Sequence, residues 1–169
     1  PTTHAHIKQA QKEQAENKAK AQEQVSVKAN EIYAKAQQST IFNAYLKSKG
    51  FDKYQDLKHP ARQDDRGNLI IPLSNIDGQI KNLQTIYKNG DKRPLKDGLK
   101  KGTFCVLGDL STTHKEVYVC EGYATALSVY LAFEQTRPVV FALDCGNLFP
   151  VLVARKGKSK SKQFINCAD

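Results

Sequence analysis

The stretch YVCEGYATALSVYLAF, residues 118–133, decides how the second half of this chain is read. An apolar, β-rich run stops at Glu121 and a glycine, and apolar residues resume at once with helical spacing, as where a strand turns into a helix. A carboxylate at that corner has two readings. It complements the positive end of the following helix, worth about 0.3–1 kcal/mol, or it is the acidic end of a strand whose edge carries chemistry.

The same rhythm runs to the end of the chain. Residues 116–120 (EVYVC), 138–145 (PVVFALDC) and 162–169 (KQFINCAD) read as strands, and residues 124–135 and 147–157 as helices, the second with Pro150 in its first turn. Continuous apolar strands alternating with helices predict a parallel sheet covered on both faces. Each strand ends on or beside a carboxylate: Glu121, Asp144 and Asp169. Acids brought to one sheet edge repel unless a proton or cation neutralises them, which predicts a hard divalent ion such as Mg²⁺. Helix N-termini attract acids for reasons unrelated to catalysis, so capping accounts for Glu121 and Asp144 equally well.

Upstream the pattern changes. Residues 4–38 are rich in Ala, Gln, Lys and Glu with no Gly or Pro, which predicts a helix. Its first half has almost nothing to bury, whereas Val25, Val27, Ile32 and Tyr33 let the second half dock on a body. His4 and His6 read as polar residues near a terminus rather than metal ligands. Residues 40–51 read as a short amphipathic helix stopped by Gly50. Apolar runs at 69–73 and 80–87 flank NIDG, and the second ends at KNGD, which predicts a hairpin or a three-stranded meander completed by residues 102–109. Lys88, Lys92, Arg93, Lys96, Lys100 and Lys101 gather around its tip and exit, a solvated loop or a phosphate-binding surface. A second cationic stretch, 154–163, carries Arg155, Lys156 and Lys158 among Gly and Ser and reads as a flexible loop with the same two roles.

Composition bounds the rest. A length of 169 residues with 40% hydrophobic content suffices for a core, and a formal charge of +9 implies an acidic partner. Nucleic acid is the commonest such partner; an anionic membrane surface and simple solubility are the alternatives. Cys105, Cys120, Cys145 and Cys167 match no metal-binding spacing. The last three sit in or beside apolar runs, where free cysteine is a small buried hydrophobe, and this favours a reducing cytoplasm. No run approaches the roughly 18 apolar residues of a membrane span.

VYVCEGYATALSVYLAF, followed by PVVFALDCGNLFPV and INCAD, resembles the Toprim domain of plasmid- and phage-type DNA primases. Residues 66–95 with GTFCVLG resemble the basic β subdomain that precedes Toprim in the primase polymerase core, and NAYLKSKGF the short helix before it. The resemblance implies an α+β protein with a Rossmann-like α/β Toprim portion: a helical arm at 1–39, a basic β-rich subdomain at 40–112 and Toprim at 113–169. It makes Glu121 the catalytic, metal-binding glutamate and Asp169 the first aspartate of a DxD pair that shares the metal, Mg²⁺ or Mn²⁺. Gly122 becomes the glycine of the tight strand-to-helix turn, and Asp144 and Asn147 become supporting metal- or nucleotide-proximal groups. The implied reaction is primer synthesis on a single-stranded DNA template from nucleoside triphosphates, with a replicative helicase or other replisome protein as a further partner. The sequence departs from the family at its end. It stops at Asp169, before the second aspartate and fourth strand, as an excised fragment or truncated relative would, and this keeps open a non-catalytic module that binds single-stranded DNA or a replication partner. A Toprim nuclease or topoisomerase shares the acidic edge, but no Tyr stands in a recognisable nucleophile context.

Overall fold

The computed structural model describes residues 2–111, 115–158 and 163–167, and side chains for all of these except 2, 3 and 156–158. Helix α1, Thr2–Lys35, is followed by β1 (Gln37–Gln38), α2 (Ala44–Ser48), a 3₁₀ turn at Phe51–Lys53, and β2 (Arg62–Gln63), β3 (Leu69–Ser74), β4 (Ile80–Ile86) and β5 (Lys92–Pro94). These five strands form one antiparallel sheet in the order β1-β2-β3-β4-β5. Then come β6 (Cys105–Leu107), β7 (Glu116–Cys120), α3 (Tyr123–Ala132), β8 (Val139–Phe141), α4 (Cys145–Lys158) and β9 (Gln163–Cys167), with the second sheet ordered β6-β8-β7-β9.

Turn chemistry sets the first sheet. Asn75 Oδ1 accepts from the N–H groups of Asp77 and Gln79 at 3.1 and 3.0 Å, and Gly78 and Gly90 hold φ of 81° and 92°, where a side chain would be strained. Residues 102–109 do not complete this meander as expected. Their strand, β6, joins the second sheet antiparallel to β8, where its apolar residues Cys105 and Leu107 are buried, and its backbone link to β3 is a single bridge between Ser74 and Phe104, the residue before β6.

Helix α1 divides as its composition predicts. Residues 4–20 are exposed, while Ala29 is fully buried against Ile70 and Leu83, with Ile32 and Tyr33 packed around them. Ser26 Oγ donates to the Ile80 carbonyl at 2.8 Å, and Arg62 donates to the Tyr33 carbonyl while lying over the Tyr33 ring. Val27, expected to dock, is exposed instead: with 3.6 residues per turn it cannot share a face with both Val25 and Ala29.

The second sheet is covered on both sides. Helix α3 packs Tyr123, Ala126, Leu127 and Tyr130 on one face, in a core continuous with Leu69, Ile71 and Leu73 of the first sheet. Helix α4 sets Leu148, Val151 and Leu152 against Val117, Val119 and Val140 on the other. Two of the cysteine expectations divide: Cys120 is buried, whereas Cys145 is exposed at the start of α4, before the helix turns inward. Burial pushes the Cys105 thiol up to about 12.

Burial also lowers the imidazole of His59 from 6.5 to about 4, and its Nδ1 is buried without a partner among the described residues. Between those values the unfolded chain binds a proton that the folded chain does not, so stability falls as pH drops through this window. Urea titrations from pH 7 to 4 will show that decline, and His59→Phe, which removes the titrating nitrogen, will flatten it.

Candidate functional site

The register of the second sheet creates the candidate edge. Cys120 of β7 lies opposite Phe141 of β8 and Cys167 of β9, and both pairings are parallel, so three strands end at one level. The N–H of Ala142 donates to the Cys120 carbonyl at 2.9 Å and carries the β7–β8 pairing up to the residue before Glu121. A parallel sheet concentrates function at this carboxyl edge because the loops leaving it lead to helix N-termini.

Glu121 stands at that edge, partly exposed, and no hydrogen bond or ion pair holds its carboxylate among the described residues. Gly122 follows as the N-cap of α3, but with φ of −95° and ψ of 144°, a conformation open to any residue. What favours glycine is space: a Cβ there would lie 3.3 Å from the hydroxyl of Thr125.

Asp144 is differently employed. Its Oδ1 accepts from the N–H of Asn147 at 3.0 Å, three residues into the turn, and so caps α4. The backbone reaches it through Leu143, a non-glycine residue at φ of 80°, a conformation costing on the order of 1–3 kcal/mol. Burial of the Leu143 side chain holds that conformation in place.

Asn147 serves the fold rather than presenting itself to a ligand. Its side chain is buried; Nδ2 donates to the carbonyls of Thr103 at 2.7 Å and Ala142 at 2.8 Å, and Oδ1 accepts from the N–H of Gly102 at 2.7 Å. With both amide hydrogens and the carbonyl oxygen engaged, a nucleotide would have to displace backbone partners to reach it. The amide instead ties the basic loop at 100–103 to the end of β8.

Asp169 lies outside the described residues, as do the side chains of Lys156 and Lys158. Among the described residues no three His, Cys, Asp or Glu side chains are grouped so as to hold a metal ion. Glu121 therefore fits a metal ligand, Asp144 is partly spent on its helix, and the described residues alone do not complete a divalent-ion site.

The cations fall into separate places. Lys88 and Arg93 line a cleft of about 550 Å³ with Arg66 and Tyr87, where Arg93 lies over the Tyr87 ring and pairs with Asp91 at 3.6 Å. Lys92 and Lys96 are exposed nearby in sequence, on β5 and just after it. Lys100 and Lys101 line a larger cleft, about 780 Å³, against Asp144, Gly146, Phe149 and Val153 of the α4 side. Arg155 is not part of a loop: α4 continues through it to Lys158, and its guanidinium lies 5.2 Å over the Phe104 ring, with burial lowering its pKa. Arg66, Tyr87 and Phe149 carried no signal of their own in the sequence, since only the fold sets them beside the lysines.

No protein-family model matches the chain. It is 32% identical over 127 residues to DNA primase TraC of Escherichia coli, a match covering 74% of this chain and 12% of that protein. A second DNA primase TraC of Escherichia coli is 32% identical over 128 residues, covering 74% of this chain and 8% of the relative. The chain thus spans about a tenth of the length of the curated relatives it matches. Among solved structures, it is similar to the primase fragment of the bacteriophage T7 primase-helicase protein, with a TM-score of 0.56 and 17% identity over 81% of this chain and 57% of that one. It also matches a chain of the T7 lagging-strand DNA polymerase assembly with primase domains, an RNA/DNA hybrid and dTTP, with a TM-score of 0.55 and 17% identity over 75% of this chain and 59% of that one. The chain is homologous to a segment of DNA primases and shares the mixed α+β fold of the T7 primase fragment.

Asn147→Ala strands one buried N–H and two carbonyls, and is expected to lower unfolding free energy by about 3 kcal/mol or more. Glu121→Gln, which breaks no described contact, is expected to change it by less than about 0.5 kcal/mol. Paired urea melts of the two variants measure the difference.

Proposed function

We propose that this chain supplies the basic β subdomain and the acidic Toprim edge of a DNA primase polymerase core, which makes primers on single-stranded DNA by nucleotidyl transfer. The observation that carries this reading is the carboxylate of Glu121, without a partner among the described residues, at the common end of parallel strands, in a chain homologous to a segment of DNA primase TraC. A structural acid would be expected to show a partner, as Asp144 does with its helix.

In this reading Glu121 offers its carboxylate to a divalent ion, Mg²⁺ or Mn²⁺, together with carboxylates outside the described residues, Asp169 first among them. Such an ion supplies positive charge at the reacting phosphate. The chain's own residues do the positioning. The hairpin cations Lys88, Lys92 and Arg93 bind backbone phosphates of the template, and the 100–103 loop, fastened by Asn147, brings Lys100 and Lys101 to the Asp144 side of the edge. Incoming nucleoside triphosphates are the proposed co-substrates, and a replicative helicase or another replisome protein the proposed partner. The cytoplasm is the proposed compartment; no helix among the described residues is long and apolar enough to cross a membrane.

A second reading has its own support. The basic clefts at Lys88 and Arg93 and at Lys100 and Lys101, in a chain that spans about a tenth of its primase relatives, fit a binding module that grips single-stranded DNA while chemistry resides elsewhere in a longer protein.

Primer synthesis by the complete protein separates the two. Under the polymerase reading, Glu121→Gln lowers synthesis on a single-stranded template at least 1,000-fold, an order-of-magnitude expectation for loss of charge stabilisation at the reacting centre, while the thermal melt is unchanged. Synthesis within about tenfold of wild type removes Glu121 from the chemistry and leaves the binding module.

A further inference from the structure

Helix α4 covers the second sheet with one face and leaves two large apolar residues, Phe149 and Val153, on another. They are 73% and 56% exposed, one helical turn apart, and both line the cleft of about 780 Å³ that Lys100 and Lys101 also line. The packing of α4 does not need them, because Leu148, Val151 and Leu152 already cover the sheet. An exposed phenylalanine in one cleft with two lysines answers a ligand with both an aromatic face and a negative charge.

The floor of the cleft adds hydrogen-bond acceptors. Pro150 has no N–H, so the carbonyl of Gly146, four residues earlier, lacks its regular helical donor, and both residues line the cleft. Asp144 stands at the same end, with one oxygen engaged by the Asn147 N–H. Its charge repels a phosphate from the helix N-terminus and leaves the two lysines as the place for phosphates. The cleft therefore sorts a ligand: ring against Phe149, amino or hydroxyl hydrogens toward Gly146 and Asp144, phosphates toward Lys100 and Lys101.

We propose that this cleft is a base-stacking subsite for single-stranded nucleic acid, with one unpaired base on Phe149 and the flanking phosphates on Lys100 and Lys101. A duplex does not fit this demand, since paired bases expose edges rather than faces. The formal charge of +9 favours a polyanionic strand over a protein segment as the occupant. The subsite rests on the nucleic-acid part of the proposed function, but not on Glu121 or on any metal.

The chain contains no Trp, so Phe149→Trp installs a single reporter with a stacking face. With the full chain at low salt, a single-stranded 12-mer is expected to quench its emission saturably, and a 12-mer of equal charge lacking bases is expected not to. Phe149→Ala is expected to weaken binding of the 12-mer about 5- to 150-fold, matching the roughly 1–3 kcal/mol of one base–aromatic stack, while Phe149→Trp retains affinity. Lys100→Ala and Lys101→Ala should each lower the salt slope of binding by about 1. If the wild-type chain binds the 12-mer but emission is unchanged at saturation and Phe149→Ala binds normally, the subsite is wrong and the primase reading stands. If the wild-type chain binds no strand, the nucleic-acid reading itself fails and takes the subsite with it. Equal quenching by a nucleoside triphosphate alone overturns the assignment to a strand.

Discussion

The buried amide of Asn147 fixes the geometry on which every functional reading here depends. One side chain holds Gly102 and Thr103, at the exit of the basic sheet, against Ala142, at the end of a strand in the other sheet. Each bond lies where water does not compete, so losing the partner would cost far more than making the bond gains. Because the amide has both donors and an acceptor, it reads both edges of the loop, and neither Asp nor Leu could replace it. The lysines at 100 and 101 are therefore carried to the cleft by a rigid fastening rather than by a free tether.

That fastening does not act alone between the sheets. Ser74 and Phe104 exchange two backbone hydrogen bonds, at 2.8 and 3.0 Å, just where β3 ends and β6 begins. Leu69, Ile71 and Leu73 share a core with Leu107, Phe141 and the buried face of α3. A protein that must hold a cationic surface against an acidic edge benefits from such continuity, because opposite charges at an exposed boundary are screened by salt and position nothing by themselves. Packing sets the distance, and electrostatics acts across it.

The two carboxylates at the edge show how one residue type takes two roles. Asp144 lies close enough to the first turn of α4 to accept the Asn147 N–H and is occupied by the helix. Glu121 precedes a helix too, yet no described donor meets its longer side chain, and it stays available. Of the two readings of acidic strand ends, capping describes Asp144, and chemistry is the role proposed for Glu121.

Much of this was legible along the chain. The alternation of apolar strands and helices after residue 116 determined the parallel sheet, because a strand buried on both faces leaves no polar positions, and the Asp-Gly and Asn-Gly turns determined the hairpins. The composition of α1 determined which half would dock. Tertiary structure alone decided that residues 105–107 pair with β8 instead of the hairpin, since a three-residue apolar strand is compatible with either sheet until register chooses. It alone decided that Asn147 is a fastening and that Phe149 shares a cleft with two lysines some fifty residues away in sequence. Periodicity reports which face of an element is apolar. What stands opposite that face is set by packing between distant segments, and no local pattern encodes it.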